Sequence, residues 1–320
     1  TFFLLFLGVI MVNGWPNSAN MGWSAPLWQT LMGLCAILAF CQISTPNMSS
    51  TAKKRWAVVT PIIRTVSFIG LIVLAFQFVG KHGNHIITLS PLHIYPSWWG
   101  ILGTIGWAYL IASIIYLIFQ TNRTAILGCM VLLLSLFPAA MIGVLRGSWL
   151  GGYINIGATL GSEPSIAVGG MLLSTILITP NTQTAQERIH FTALFILAMS
   201  LGAVLLNGLY GISKNIATPS WALWACAITA GLWLLFYLIY DIKPFRLVSK
   251  LLTMAGSNVL LAYLLSAIYF SIMINIGLGH WYRSFGQVDL THAILRAFGI
   301  SIFLLFCSVM LNRIGFRLKL

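Results

Sequence analysis

Residues 99–120 read WGILGTIGWAYLIASIIYLIFQ, and residues 125–145 read AILGCMVLLLSLFPAAMIGVL. Each run is apolar and about 20 residues long, the length that a helix needs to cross a hydrocarbon core of about 30 Å. Only TNRT separates the two runs, at 121–124. They therefore predict a pair of antiparallel transmembrane helices.

The same pattern recurs along the chain and predicts an all-α, polytopic membrane protein with about ten transmembrane helices. The other apolar runs cover 1–12, 26–43, 57–79, 166–178, 191–209, 221–240, 254–276 and 292–311. Hydrophobic residues make up 59% and charged residues 7% of the 320 positions, which leaves too few polar side chains to cover a water-soluble fold. Helices are expected because they satisfy their backbone hydrogen bonds internally in lipid.

The first apolar run is short and begins without a Met or a hydrophilic residue. We therefore expect residues 1–320 to form a single transmembrane domain whose N-terminal helices are missing.

The cationic residues indicate the orientation. Loops on the side of Lys53 carry eleven Lys and Arg residues, and the opposite loops carry Lys81, Arg146, Lys214 and Arg283. Because cytoplasmic loops are enriched in Lys and Arg, this bias places the C-terminus in the cytoplasm. Anionic lipid headgroups account for the net charge of +13, so no nucleic-acid partner is implied.

Cysteines and histidines give no metal-binding pattern. The five cysteines all fall within apolar runs, where they act as small packing residues. His82, His85 and His93 share one exoplasmic loop, but their spacing matches no zinc motif. We expect no metal. His280 lies among aromatic residues that suit either sugar stacking or an interfacial belt.

Polar residues concentrate in the exoplasmic loops. One loop runs from Arg146 to Ser165 and contains Glu163, directly before Pro164. The simpler interpretation is a carboxylate at a helix start, favoured by the helix dipole. The alternative is a catalytic or sugar-binding role.

A shorter loop, GISKNIATPSW at 211–221, contains Lys214 and Asn215. Thr218 before Pro219 predicts an N-cap followed by proline in the first helical turn. A cation on the side that the positive-inside rule depletes, beside an amide, suits an anion or carbonyl ligand. A snorkelling interfacial Lys214 fits equally well.

Within the apolar runs, Arg64 and Arg296 are costly unless they are paired, hydrated or able to snorkel. Asn258 is predicted near a helix start among small residues. No Asp or Glu falls inside a predicted spanning segment. That absence weighs against a proton-coupled carrier, which commonly uses intramembrane carboxylates.

Five stretches together carry a family resemblance: 1–13, 98–109, 211–221, Tyr240-Asp-Ile-Lys243 and Gly256-Ser-Asn258. In order and spacing they resemble the bacterial relatives of heparan-α-glucosaminide N-acetyltransferase. The resemblance spans almost the whole chain. It implies a transmembrane acyltransferase that takes an acetyl group from cytosolic acetyl-CoA to a sugar amine or hydroxyl on the exoplasmic side.

The family's catalytic histidine lies upstream of this sequence, so the resemblance assigns no catalytic residue here, and we expect residues 1–320 alone to be inactive. Lys243, Arg246 and Lys250 suit the phosphates of CoA. Donors for a developing oxyanion are expected among Lys214, Asn215, Ser220 and Asn258. Glu163 and Arg146 are further substrate candidates.

Two other functions stay open. The chain is alternatively a carrier or flippase for a sugar or lipid-linked glycan, or a non-catalytic membrane subunit. Its expected partners are membrane lipids and a sugar or glycan, and a homo-oligomer is compatible with the sequence. We expect the bacterial cytoplasmic (inner) membrane as its location.

Overall fold

The computed structural model of the protein describes residues 1–12, 16–43, 49–81, 83–89, 92–94, 99–177, 184–242, 253 and 256–318. Contacts between Cα atoms group into two compact units. The first unit comprises Thr1–Val9 and Trp98–Arg246, and the second comprises Ile10–Ser97 and Leu247–Leu320.

Helices dominate the described residues and confirm an all-α, polytopic membrane protein. The α-helices are α1 Phe2–Val12, α2 Ser18–Met21, α3 Ala25–Ala39, α4 Ser50–Gln77, α5 Gly100–Phe119, α6 Arg123–Met141, α7 Glu163–Leu177, α8 Ala185–Tyr210, α9 Pro219–Phe236, α10 Val259–Asn275, α11 Gly279–Phe285 and α12 Leu290–Arg313. A 3₁₀ turn covers Trp149–Gly152, and π-helical segments cover Ile156–Ser162 and Tyr237–Ile242.

Seven described helical stretches are long and apolar enough to cross a membrane: Ser50–Gln77, Gly100–Phe119, Arg123–Met141, Ile156–Leu177, Ala185–Tyr210, Pro219–Ile242 and Leu290–Arg313. The pair α10 and α11 passes the same test as one span bent by 115°. Helices α1 and α3 are apolar but shorter. The expected count of about ten stays a prediction.

Large apolar side chains on these helices point outward. Leu117 and Leu205 are each 75% exposed, and Phe298 is 66% exposed. Such surfaces are unfavourable in water, whereas lipid tails solvate them. The outward faces therefore suit a bilayer.

The core of the first unit is built from α5 to α9. Its buried residues include Ala112 and Ile115 of α5, Met130 of α6, Val168 of α7 and Cys226 of α9. Small residues let the helices approach closely, since a Cβ at Gly169 would lie 2.8 Å from the Cys226 sulfur.

Polar contacts tie α3 to α10 in the second unit. The Ser271 hydroxyl donates to Gln29 Oε1 at 2.9 Å, and Asn275 Nδ2 donates to Thr30 Oγ1 at 2.9 Å. The hydrophobic effect does not drive helices together within lipid, so hydrogen bonds of this kind help to hold membrane helices against one another.

Two short antiparallel strand pairs accompany the helices. Strand β2, Ile87–Leu89, pairs with β3, Leu92–Ile94. Strand β1, Cys41–Ile43, pairs with β4, Phe316–Leu318, with Gln42 opposite Arg317. The chain just after α3 and the chain just after α12 therefore meet at one end of the second unit.

The two arginines expected inside the membrane both have partners. Arg64 Nε donates to the Ala39 carbonyl at 3.2 Å. Arg296 Nη1 donates to the Tyr282 carbonyl at 3.2 Å, and its guanidinium lies 4.9 Å from the Tyr282 ring centroid. These backbone carbonyls and the tyrosine ring face thus offset part of the unfavourable free energy of burying the two guanidinium charges.

Candidate functional site

The π-helical segment Ile156–Ser162 begins the helical stretch that continues as α7. Asn155 is its N-cap, and its Oδ1 accepts the Ala158 N–H at 3.2 Å. A Cβ at Gly157 would lie 3.1 Å from Phe137 Cα, and one at Gly161 would lie 2.8 Å from the Leu133 carbonyl oxygen. Glycines four residues apart therefore let this segment lie directly against α6.

This geometry agrees with one expectation about Glu163 and corrects another. Helix α7 begins at Glu163, so the carboxylate lies in the first α-helical turn, as the helix-start interpretation predicts. The π-helical segment directly precedes α7, and the candidate span Ile156–Leu177 includes Glu163 as its eighth residue. The expectation that no carboxylate falls within a spanning segment is therefore wrong, and Glu187 and Asp241 also lie within the bounds of candidate spans.

Three polar atoms, one on α5 and two where this segment meets α7, are buried without a hydrogen-bond partner among the described residues. They are Trp107 Nε1, Ser162 Oγ and Glu163 Oε2, and we call Trp107, Ser162 and Glu163 the polar trio. Ser162 is 0% exposed and Glu163 is half-buried. Since most buried polar groups in proteins are hydrogen-bonded, three such atoms need an explanation.

The trio comes from two parts of the first unit that pack together. Helix α5, which carries Trp107, packs against both α7 and the π-helical segment. Trp107 is one turn before Ile111, and Glu163 is one turn before Ile166, and both Ile111 and Ile166 pack on the apolar core. Trp107 and Glu163 therefore each lie about one turn from a residue that contacts this core.

Aromatic contacts hold Trp107 and the start of α5. The Trp99 and Trp107 rings meet edge to face with centroids 5.3 Å apart. Trp99 Nε1 donates to the Tyr153 carbonyl at 3.2 Å. These contacts fix the start of α5 against the chain that leads into the π-helical segment.

The loop 211–218 connects α8 to α9 and is held by hydroxyl groups. Thr218 Oγ1 accepts the Ser213 N–H at 3.1 Å and donates to the Gly211 carbonyl at 3.0 Å. The Ser220 hydroxyl also donates to the Gly211 carbonyl. Thr218 is the N-cap of α9, as predicted, and accepts the Trp221 N–H at 3.4 Å.

Backbone strain occurs in the same loop. Ala217 has φ +51° and is 1% exposed. Residues other than glycine seldom adopt this left-handed conformation, and they do so where surrounding contacts enforce it. The bonds around Thr218 supply such contacts, so the loop has a defined shape.

The structure brings some predicted site residues together. Lys214 and Asn215 are exposed on the fixed loop, and neither side chain has a hydrogen-bond partner among the described residues. Ser220 is 0% exposed, and its hydroxyl is engaged with Gly211, which makes it part of the loop's support. Arg146 is exposed and its side chain lies over Gly143.

One contact relates the loop to the π-helical segment. The Tyr210 ring, at the end of α8, meets the Phe137 ring edge to face at 5.6 Å. Phe137 is also the residue that Gly157 approaches. The loop and the π-helical segment therefore both begin close to Phe137.

Asn258 belongs to the second unit and supports β4. Its Nδ2 donates to the Phe316 carbonyl at 3.2 Å, and its Oδ1 accepts the Leu318 N–H at 3.4 Å. It is 5% exposed. Both the Nδ2 and the Oδ1 atom of Asn258 therefore form hydrogen bonds with the backbone of β4 in this structure.

The residues expected to bind CoA, Lys243, Arg246 and Lys250, lie outside the described residues. So do His82 and the His93 side chain, whereas His85 and His280 are exposed. Within the described part of the chain, no three His, Cys, Asp or Glu side chains are grouped as metal ligands.

Comparison of the chain with protein-family models, curated proteins and solved structures gives no match.

Sequence reasoning singled out Glu163 but missed Ser162 and Trp107. A usable signal was present, because Gly157 and Gly161 have the small-xxx-small spacing of closely packed membrane helices. From that spacing, the start of the helical stretch could have been predicted upstream of Glu163.

Proposed function

We propose that this chain belongs to a transmembrane acyltransferase of the bacterial cytoplasmic membrane. It moves an acetyl group from cytosolic acetyl-CoA to the amine or hydroxyl of a sugar on the exoplasmic side. The observation that carries this proposal is the fixed loop 211–218, which holds Lys214 and Asn215 exposed together. The family resemblance of the sequence supports the same reaction.

The reaction needs donors aimed at a developing negative charge. The acceptor nitrogen or oxygen attacks the thioester carbonyl carbon, a new C–N or C–O bond forms, and the C–S bond breaks. CoA leaves as a thiolate and takes up the proton that the acceptor loses. The Lys214 ammonium and the Asn215 amide would stabilise the oxyanion, and a loop already held in shape needs little reorganisation.

The proposal also assigns the two membrane sides. Lys243, Arg246 and Lys250 would bind the phosphates of CoA from the cytoplasm by their charge. The C-terminus is assigned to the cytoplasm on the charge bias. Pairing of β1 with β4 supports this assignment, because it brings 316–318 beside the strand that precedes Lys53, which lies in the first turn of α4.

The test is single-turnover acetyl transfer to glucosamine by the full-length protein at saturating acetyl-CoA. Lys214→Ala should slow transfer about 100- to 1,000-fold, because losing one preorganised oxyanion donor has that effect. Lys81→Ala removes the same charge from another loop assigned to the same side. It should stay within about three-fold of wild type, as expected for an exposed cation.

Absence of transfer by the wild-type protein would refute the proposed reaction. Equal rates for Lys214→Ala and Lys81→Ala would remove the loop from the site while leaving the reaction standing.

A second function, the carrier for a sugar or lipid-linked glycan, is favoured by Glu163. Ionisable residues inside membrane spans commonly mark substrate or proton pathways. Uptake of labelled sugar into proteoliposomes without acetyl-CoA would support the carrier, since a transferase moves only the acetyl group.

A further inference from the structure

We propose that a cavity at one end of the second unit is a binding site for an uncharged sugar unit of a glycan. The cavity has a volume of about 490 Å³ and is lined by Asn20, Met21, Gly22, Trp23, Gln77 and Val79. Ligand sites in proteins commonly measure about 300–1,000 Å³, so this volume suits a small ligand. The inference deepens the proposed function and rests on it for the choice of a sugar as the ligand.

The cavity lies at the end of α4 that is distant from Lys53. Gln77 is the last residue of α4, and Lys53 lies in its first turn. A helix of 28 residues is about 42 Å long, enough to cross a hydrocarbon core of about 30 Å. Because the charge bias assigns Lys53 to the cytoplasm, the cavity is assigned to the exoplasmic side, where the acceptor sugar is expected.

Hydrogen bonds hold the two walls of the cavity together. The Asn17 backbone N–H donates to the Val79 carbonyl at 2.9 Å. Asn20 Nδ2 donates to the Gly80 carbonyl at 3.4 Å. The segment that carries Asn20 and Trp23 is therefore fastened to the chain just after α4. A site that is already formed loses less free energy to ordering when a ligand binds.

Helix α2 ends beside the cavity in a left-handed turn. Its C-cap, Gly22, has φ +74°, and the Gly22 N–H donates to the Ser18 carbonyl at 3.0 Å. Glycine adopts this conformation without strain. A Cβ at Gly22 would meet no heavy atom within 4 Å, so the space beside this turn is open to a ligand.

The lining has polar groups but no charged side chain. The amides of Asn20 and Gln77 both donate and accept hydrogen bonds, and the Trp23 indole N–H only donates. Neither Gln77 nor Trp23 makes a side-chain hydrogen bond within the described part of the chain, so both can contact a ligand. A phosphate would find no cation here, and an ammonium group would find no carboxylate. The hydroxyls of a sugar both donate and accept, and they match these groups.

Apolar surface adjoins the polar groups. Met21 and Val79 contribute aliphatic surface, and Trp23 contributes an aromatic ring that is partly buried. A sugar ring presents C–H groups on its faces and hydroxyls at its edges. Tryptophan suits such a ligand, because its ring offers an apolar face and its N–H offers a polar contact.

The experiment measures equilibrium binding of a radiolabelled glucose trisaccharide to the full-length protein in lipid nanodiscs without acetyl-CoA. Gln77→Leu removes an amide that has no described partner in the fold. It should weaken binding about 3- to 10-fold, the range for one neutral hydrogen bond. Trp23→Leu removes both the ring and the indole N–H, and should weaken binding about 5- to 100-fold.

Gln77→Glu tests the absence of charge in the lining. A carboxylate at this position should attract the ammonium form of glucosamine, because hydrogen bonds between charged groups are stronger than neutral ones. We expect this variant to bind glucosamine about 10-fold more tightly than wild type and to bind the trisaccharide no more tightly. An unchanged affinity for glucosamine would show that Gln77 does not face the bound sugar, and would contradict the proposal.

Two exposed residues outside the cavity provide matched controls. Gln287→Leu removes the same amide elsewhere in the second unit, and Trp149→Leu removes the same ring at a position that is 76% exposed. Both variants should bind the trisaccharide as wild type does. Gln77 is also exposed, so Gln77→Leu carries the test if Trp23→Leu does not fold.

Wild-type affinity in Gln77→Leu or in Trp23→Leu would overturn the proposal, and so would a wild-type protein that binds no trisaccharide. Acetyl transfer measured in parallel separates this site from the proposed reaction. Binding that depends on Gln77 and Trp23, without any acetyl transfer, would support the site and refute the transferase. Acetyl transfer without such binding would refute the site alone.

Discussion

Replacing Ser162 with Ala should stabilise the protein, whereas replacing Ser165 with Ala should destabilise it. Both serines are 0% exposed and lie three residues apart on one helix. The Ser165 hydroxyl donates to the Ser162 carbonyl at 2.7 Å, but the Ser162 hydroxyl has no described partner. Each substitution deletes a single oxygen atom, so the pair isolates the effect of the hydrogen bond.

The magnitudes follow from the energetics of buried polar groups. A buried group without a partner is unfavourable by roughly 1–3 kcal/mol, and an ordinary hydrogen bond contributes about 0.5–1.5 kcal/mol net. We expect Ser162→Ala to raise the free energy of unfolding by about 1 kcal/mol and Ser165→Ala to lower it by about 1 kcal/mol. The separation between them is then about 2 kcal/mol.

Thermal unfolding of both variants in one detergent measures the difference, and about 1 kcal/mol corresponds to a shift of roughly 1.5 °C in a chain of 320 residues. The order of the two midpoints is the informative result. Equal destabilisation by both variants would show that the Ser162 hydroxyl is hydrogen-bonded in the fold. The polar trio would then lose a member.

Three further predictions concern other parts of the chain. Asn258→Leu should destabilise the second unit by about 1–3 kcal/mol, because the β4 carbonyl and N–H lose their partner, and denaturant unfolding measures this. The His292 backbone N–H donates to Asp289 at 2.7 Å and lowers the pKa of that carboxyl, so the cap of α12 should persist above about pH 4 and be lost at lower pH. Hydrogen exchange in the first turn of α12 should show this loss in wild type and not in Asp289→Asn. In a cysteine-free background, Lys214→Cys and Lys53→Cys should react with an impermeant thiol reagent from opposite sides; labelling from one side would contradict the charge-based topology.

Much of the architecture could be predicted because a long apolar run in a bilayer has few stable conformations other than a helix. The run at 99–120 matches α5 to within one residue at each end, and the run at 125–145 overlaps α6, which begins two residues and ends four residues earlier. The Thr218 cap was predictable too, since a hydroxyl residue followed by proline has one common use at a helix start.

The polar trio could not be predicted in the same way. Gly157, Thr159 and Ser162 lower the local hydropathy, so the apolar pattern predicts a spanning helix that begins only at 166. A shift from α to π hydrogen bonding leaves no compositional mark. Trp107 comes from a different helix, and tertiary packing decides whether its indole N–H is buried without a partner.

The pairing of β1 with β4 has a consequence for biosynthesis. Strand Cys41–Ile43 leaves the ribosome some 275 residues before its partner Phe316–Leu318. At about 5–20 residues per second, the first strand waits roughly 15 to 55 s. Throughout that interval its backbone N–H and C=O groups lack their final partners. Most of the first unit, Trp98–Arg246, is translated in between, so the second unit begins before this segment and is completed after it. A chain that stops before residue 316 therefore leaves β1 without its partner strand, even when every preceding helix has been inserted.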